Sequence, residues 1–82
     1  MAEKWNYKTH SYEPYKLPKG ACLTADDMSR VISCAECGRA VTFGKSYVSM
    51  QIHNHMGLGY MVCGQCYEVE KGERLHALLG DN

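Results

Sequence analysis

Four of the five cysteines in this 82-residue chain fall into two Cys-x-x-Cys pairs, Cys34/Cys37 and Cys63/Cys66. Two intervening residues let both sulfurs of a pair face one ion, and two pairs supply the four thiolates of a tetrahedral site. Soft sulfur donors in that number suit Zn²⁺. Gly38 follows the first pair and lets the chain turn back with its amides aimed at the sulfurs. The second pair is followed by Tyr67, so its N–H groups must come from elsewhere. A helix starting there supplies them, and its dipole favours thiolate at that end. The expected site is therefore one structural zinc held by Cys34, Cys37, Cys63 and Cys66, with no open position for water. Folding is expected to depend on it.

Other uses of the cysteines fit the sequence less well. Two vicinal disulfides need an oxidising compartment. The count is odd, and residues 1–20 carry Lys4, Lys8, Lys16 and Lys19 without the apolar run of a secretory signal. No stretch approaches the length of a membrane span. A reducing, cytoplasmic setting is the expectation. A thioredoxin-type redox pair needs a βαβ context that is not visible. Rubredoxin-like iron sites also use two such pairs, with Gly after both, a pattern from which Tyr67 departs.

The elements must bring two pairs together across 25 intervening residues, enough for a hairpin. Val41–Phe43 and Ser46–Ile52 read as strands with Gly44 and Lys45 as the turn between them. Tyr47, Ser49 and Gln51 fall on one face, and Val48, Met50 and Ile52 on the other. Residues 53–59 read as a loop, Tyr60–Val62 as the return strand, and a helix is expected from near Gln65 to at least Lys71. Gly72 either caps that helix or sits inside it, and Gly80 stops it. Upstream, Trp5, Tyr7 and Thr9 alternate with polar residues as one strand over residues 4–12. Pro14 and Pro18 predict an unpaired arm from Tyr12 to Gly20. Ala25–Arg30 is expected to form one or two helical turns, and Val31–Ser33 a short strand. The fold class is small α+β: residues 1–20 an aromatic and basic strand and arm, residues 21–82 the zinc-binding unit with its core over 32–79.

The order Cys34-x-x-Cys37-Gly38, hairpin, Cys63-x-x-Cys66-Tyr67 resembles a treble-clef zinc finger across residues 34–71. It also resembles half of a LIM domain without the second zinc site, and its layout is similar to small zinc-finger proteins of phages and mobile elements. The resemblance implies a zinc-organised knuckle, hairpin and helix. Treble clefs host many functions, so it names none.

Remaining residues leave two functional classes open. Trp5, Tyr7, Lys8, Tyr12, Lys16 and Lys19 have the side chains to stack bases and track phosphates; packing of Trp5 and Tyr7 against the sheet is the alternative. Formal net charge is zero, with four lysines against two glutamates in residues 1–20 offset by seven acidic and five basic residues beyond. That balance disfavours phosphate-driven binding and favours a protein partner, with the chain a monomer or weak homo-oligomer. His53-Asn54-His55 spells the letters of the HNH nucleases, but that family spreads the residues through a ββα unit; an exposed loop is expected here, with nuclease activity a minor alternative. Cys22 reads as a small buried hydrophobe. His10 reads as surface, and His76 as a partner of the helix C-terminus. Met50, Met56 and Met61 read as core fillers or an adaptable apolar surface. No nucleophile–base pair, phosphate loop or carboxylate dyad is visible, so a binding module and not an enzyme is the expectation.

Overall fold

A computed structural model describes residues 2–79, so the expected stop at Gly80 lies outside the described residues. The fold is mixed α+β: a four-stranded sheet, a two-stranded sheet and one C-terminal helix.

The N-terminal segment is not one strand and an arm but a hairpin. Strands β1 (Ala2–Asn6) and β2 (Ser11–Tyr15) pair antiparallel from Ala2↔Tyr15 to Asn6↔Ser11. Asn6 ends the first strand. Its side-chain oxygen accepts the N–H groups of Lys8 at 2.8 Å and Thr9 at 3.3 Å, and its carbonyl accepts that of His10 at 2.8 Å. A short amide side chain that bonds its own backbone competes with the ladder, and here it turns the chain. His10 takes a positive φ of 55° within that turn. Pro14 does not interrupt the pairing, because β2 is the edge strand in the order β2-β1-β5-β6, where a missing N–H is tolerated.

Residues 25–30 are likewise not helical. Asp27 accepts both the N–H and the hydroxyl of Ser29 at 2.9 Å, and the Arg30 N–H bonds the Asp27 carbonyl at 3.1 Å. The aspartate closes a local turn in place of a helix. Strands β3 (Val31–Ser33) and β4 (Ala40–Thr42) then pair with each other around the first cysteine pair. The expected hairpin across Gly44 and Lys45 is therefore absent. A single 3₁₀ turn, Phe43–Lys45, passes the chain from the small sheet to the large one.

Strand β5 (Tyr47–His53) sits between β1 and β6 (Gly59–Val62) and carries an irregularity between Val48 and His53. The strict alternation expected along β5 fails there. The Ser49 hydroxyl oxygen accepts the N–H groups of Gln51 at 3.1 Å and Ile52 at 2.9 Å. This bulge buries Ser49, Gln51 and Ile52 together and leaves Val48 exposed. The loop is shorter than expected, because His53 and Gly59 pair with each other as the last residue of β5 and the first of β6.

Helix α1 (Gly64–Leu78) is capped by Cys63 in extended conformation. Gly72 lies in its unbroken interior. The helix packs on β5; residues 71–79 are all exposed, although Glu73 accepts from the Gln51 amide at 2.8 Å and Arg74 reaches the Met50 sulfur at 3.4 Å. The molecule measures 40 × 24 × 18 Å. Its core is small and gathers on the cysteines: Ala2, Cys34, Ala35, Ile52, Val62 and Cys63 are buried, with Tyr15, Leu17, Val41, Tyr60 and Tyr67 packed against them. Among the described residues no helix is long and apolar enough to cross a membrane.

Candidate metal centre

Cys34 and Cys37 occupy the turn between β3 and β4; Cys63 and Cys66 occupy the cap and first turn of α1. The four sulfurs lie within 4.8 Å of one another. Those of Cys37 and Cys63 are 3.8 Å apart. Tetrahedral coordination with Zn–S near 2.3 Å places sulfurs about 3.8 Å apart, whereas a disulfide needs about 2.05 Å. All five cysteines are free thiols. Cys34 and Cys63 are buried, Cys66 is half-buried and Cys37 reaches the surface.

The knuckle is held by its own backbone. The Cys34 N–H bonds the Arg39 carbonyl at 2.8 Å, and the Gly38 N–H bonds the Cys34 carbonyl at 2.9 Å. Gly38 has φ 79°, a left-handed conformation that only glycine adopts freely. The N–H groups of Glu36 and Cys37 both point at the Cys34 sulfur at 3.4 Å.

The electrostatics fit a cation. Burial pushes the Cys34 thiol up, but N–H groups from Cys37, Cys63 and Glu36 outweigh it and bring Cys34 down from 9.0 to about 7. Burial, and then the neighbouring sulfurs, push Cys66 far up; burial also raises Cys37. One thiol is ready to ionise, and its neighbours resist adding more negative charge. A divalent ion removes that resistance, since the thiolate is the ligand form and metal binding releases its proton.

The N-terminal hairpin braces this site. The Tyr15 hydroxyl donates to the Ala35 carbonyl at 2.7 Å, and the Lys4 ammonium donates to the Glu36 carboxylate at 2.7 Å. Burial pulls Lys4 down, and the Glu36 carboxylate more than restores it, leaving Lys4 above its ordinary value. Behind the second pair lies a buried polar group that sequence reasoning missed. Glu70 is 1% exposed. Its carboxylate accepts the Ser49 hydroxyl at 2.6 Å and the Met50 N–H at 2.8 Å. It thereby ties α1 to the bulge of β5. A glutamate among helix formers gives no signal of this; only Ser49, a polar residue inside a strand, hinted at it.

The aromatic and lysine residues of the first twenty are not gathered in one place. Trp5, Tyr7 and Lys8 line a groove of about 1000 Å³ between the N-terminal hairpin and α1. Tyr12 packs edge-on against Trp5 at 5.1 Å and against His53 at 5.7 Å, and its hydroxyl is 3.1 Å from His53 Nδ1. Lys16 lies at the other end of the hairpin and Lys19 in the loop beyond it; both are exposed. His53 is thus the last residue of β5, and only Asn54 and His55 lie in the loop. Cys22 is half-exposed, with its thiol donating to the Gly20 carbonyl at 3.3 Å. No family model, curated protein or solved structure matches the chain.

Proposed function

We propose that this protein is a binding module of treble-clef type, stabilised by one structural zinc, whose work is to hold another protein. The observation that carries the metal half is the set of four sulfurs within 4.8 Å, two from a knuckle and two from a helix N-terminus. Knuckle, hairpin β5–β6 and helix α1 follow one another in the order of a treble clef. With four protein thiolates the ion has no position left for a reacting water, so its role is structural and the chain is read as a non-enzyme.

The binding half rests on α1. Leu75, Leu78 and Leu79 are 57%, 73% and 74% exposed along the C-terminal turns of α1, which reach β5 through the Glu73–Gln51 and Arg74–Met50 contacts. Exposed apolar side chains grouped in one place mark interaction surfaces. The nucleic-acid reading finds less support. Lys4 is held by Glu36, while Lys8 and Lys16 stand at opposite ends of a hairpin, so no continuous cationic track forms.

Elemental analysis of protein purified without added metal tests the first half: one zinc per chain is expected, and iron in its place would move the reading to electron transfer. Affinity capture with the Leu75→Ser/Leu78→Ser variant as control tests the second. A partner retained by the native chain and lost from the variant is expected. Salt-sensitive retention on a DNA or RNA column, with no protein partner, would overturn it.

A further inference from the structure

The four sulfurs of the metal centre are not equally protected. Cys34 and Cys63 are buried and Cys66 is half-buried, whereas Cys37 reaches the surface. Three N–H groups converge on the Cys34 sulfur, from Glu36, Cys37 and Cys63; on Cys37 the backbone donor is Arg39. An N–H donor draws charge from a sulfur and weakens it as a nucleophile. Among thiolates holding one ion, the exposed one is the one that an oxidant reaches first.

The Cys37 sulfur lies 3.8 Å from that of Cys63, which belongs to the other pair. Two contacts clasp these two cysteines together without using their sulfurs. The Ala35 N–H donates to the Met61 carbonyl at 2.9 Å, two residues before each cysteine. The Arg39 guanidinium donates to the Gln65 side-chain oxygen at 2.5 Å, two residues after each. Bracketed on both sides, Cys37 and Cys63 stay opposed whether or not an ion joins them. Closing from 3.8 Å to the roughly 2.05 Å of a disulfide is a short movement. A disulfide within the first pair is less well prepared, because the Cys34 sulfur would have to leave the N–H groups of Glu36 and Cys37, each at 3.4 Å.

We propose that Cys37 is an oxidant-sensitive modification site, at which a peroxide forms a sulfenic acid that Cys63 converts to a disulfide between the knuckle and α1. Peroxide is the two-electron oxidant. The Cys37 thiolate attacks one peroxide oxygen and breaks the O–O bond, and the departing hydroxide takes a proton to become water. The Cys63 thiolate then attacks the Cys37 sulfur and expels its hydroxyl as a second water. Two thiolates, one hydrogen peroxide and two protons thus give one disulfide and two waters. Cys34 and Cys66 remain as thiolates, too few to hold a zinc ion. The same two elements are then joined by a covalent bond, which a dithiol reductant reverses. The proposal rests on the zinc reading above and adds regulation to that site.

The zinc-loaded full chain is treated with one molar equivalent of hydrogen peroxide beside a zinc-sensitive dye, alkylated, and mapped without reduction. Trypsin cuts after Arg30, Arg39, Lys45 and Lys71, so Cys34 and Cys37 share one peptide and Cys63 and Cys66 another. Zinc release in step with a disulfide between those two peptides is expected, with fragmentation assigning it to Cys37 and Cys63. Dithiothreitol should reverse both. Cys37→His keeps a four-ligand set without the exposed sulfur and should slow zinc release about tenfold. Cys22→Ser should release zinc at the native rate, which sets the fifth thiol aside. The map is made on the native chain, so it decides the matter even if Cys37→His fails to fold. A first disulfide within residues 31–39, a first disulfide to Cys22, zinc that stays bound, or undiminished release from a folded Cys37→His overturns the assignment to Cys37. Any of these in a chain that carries one zinc leaves the metal reading intact. A chain that takes up no zinc overturns both.

Discussion

Gly38 and Gly72 respond oppositely to the same substitution. At Gly38 the backbone is left-handed, φ 79°, and a Cβ there costs about 1–2 kcal/mol. At Gly72 the backbone is helical and a Cβ meets nothing, so alanine is worth about 1 kcal/mol in the other direction. Urea midpoints of the metal-loaded Gly38→Ala and Gly72→Ala proteins should move down and up respectively. Glu70 carries a second residue-scale expectation. Glu70→Ala leaves the Ser49 hydroxyl and the Met50 N–H unpaired in a closed site, at a cost of about 3 kcal/mol. Its charge also matters. Burial holds the Glu70 carboxyl above its ordinary 4.5, although hydrogen bonds from Ser49 and Met50 pull the other way. The folded chain therefore keeps this proton longer than the unfolded chain. The stability it contributes is present in full below 4.5 and lost as pH rises through the folded value. In Glu70→Gln that decline disappears, and the difference in midpoint between variant and native protein should change with pH across the range above 4.5.

At the scale of elements, the N-terminal hairpin is a brace on the knuckle. Tyr15→Phe removes the hydroxyl that donates to the Ala35 carbonyl, which should cost about 1 kcal/mol and hasten metal transfer to a competing chelator. Tyr12→Phe, whose hydroxyl meets His53 on the exposed side, should leave that rate unchanged. Pattern alone revealed much of this architecture and missed the rest for definable reasons. The cysteine pairs, the hairpin after them and the helix from the second pair were readable, because ligand spacing and period are local properties of the chain. The pairing of β4 with β3 was not, since two short apolar runs on either side of a glycine look like a hairpin whichever partners they take. The first hairpin was hidden by Asn6, whose side-chain bonds decide between a strand and a turn. The bulge in β5 was hidden because Ser49 acts on backbone two and three residues ahead, which alternation cannot express.

For the whole molecule, the core and the metal site are one structure. Cys34 and Cys63 count among the few buried apolar residues, and the strands and helix that surround them touch through those cysteines. Chelation should therefore abolish the far-UV signal of both sheets and of α1 together, in a single transition, and readdition of zinc should restore it. Persistence of the helix and sheets after complete metal removal would show that the apolar core suffices alone. The sheet order has a further effect during synthesis. β1 lies beside β5, with Glu3 opposite His53, so β1 pairs with residues made much later than itself. Until then the inner edge of β1 is open, and the second cysteine pair follows only after β6. A nascent chain thus offers an unfilled inner edge on β1 and two ligands without their partners until β5, β6 and the second cysteine pair have been made, and an open edge of that kind invites edge-to-edge association in the interval.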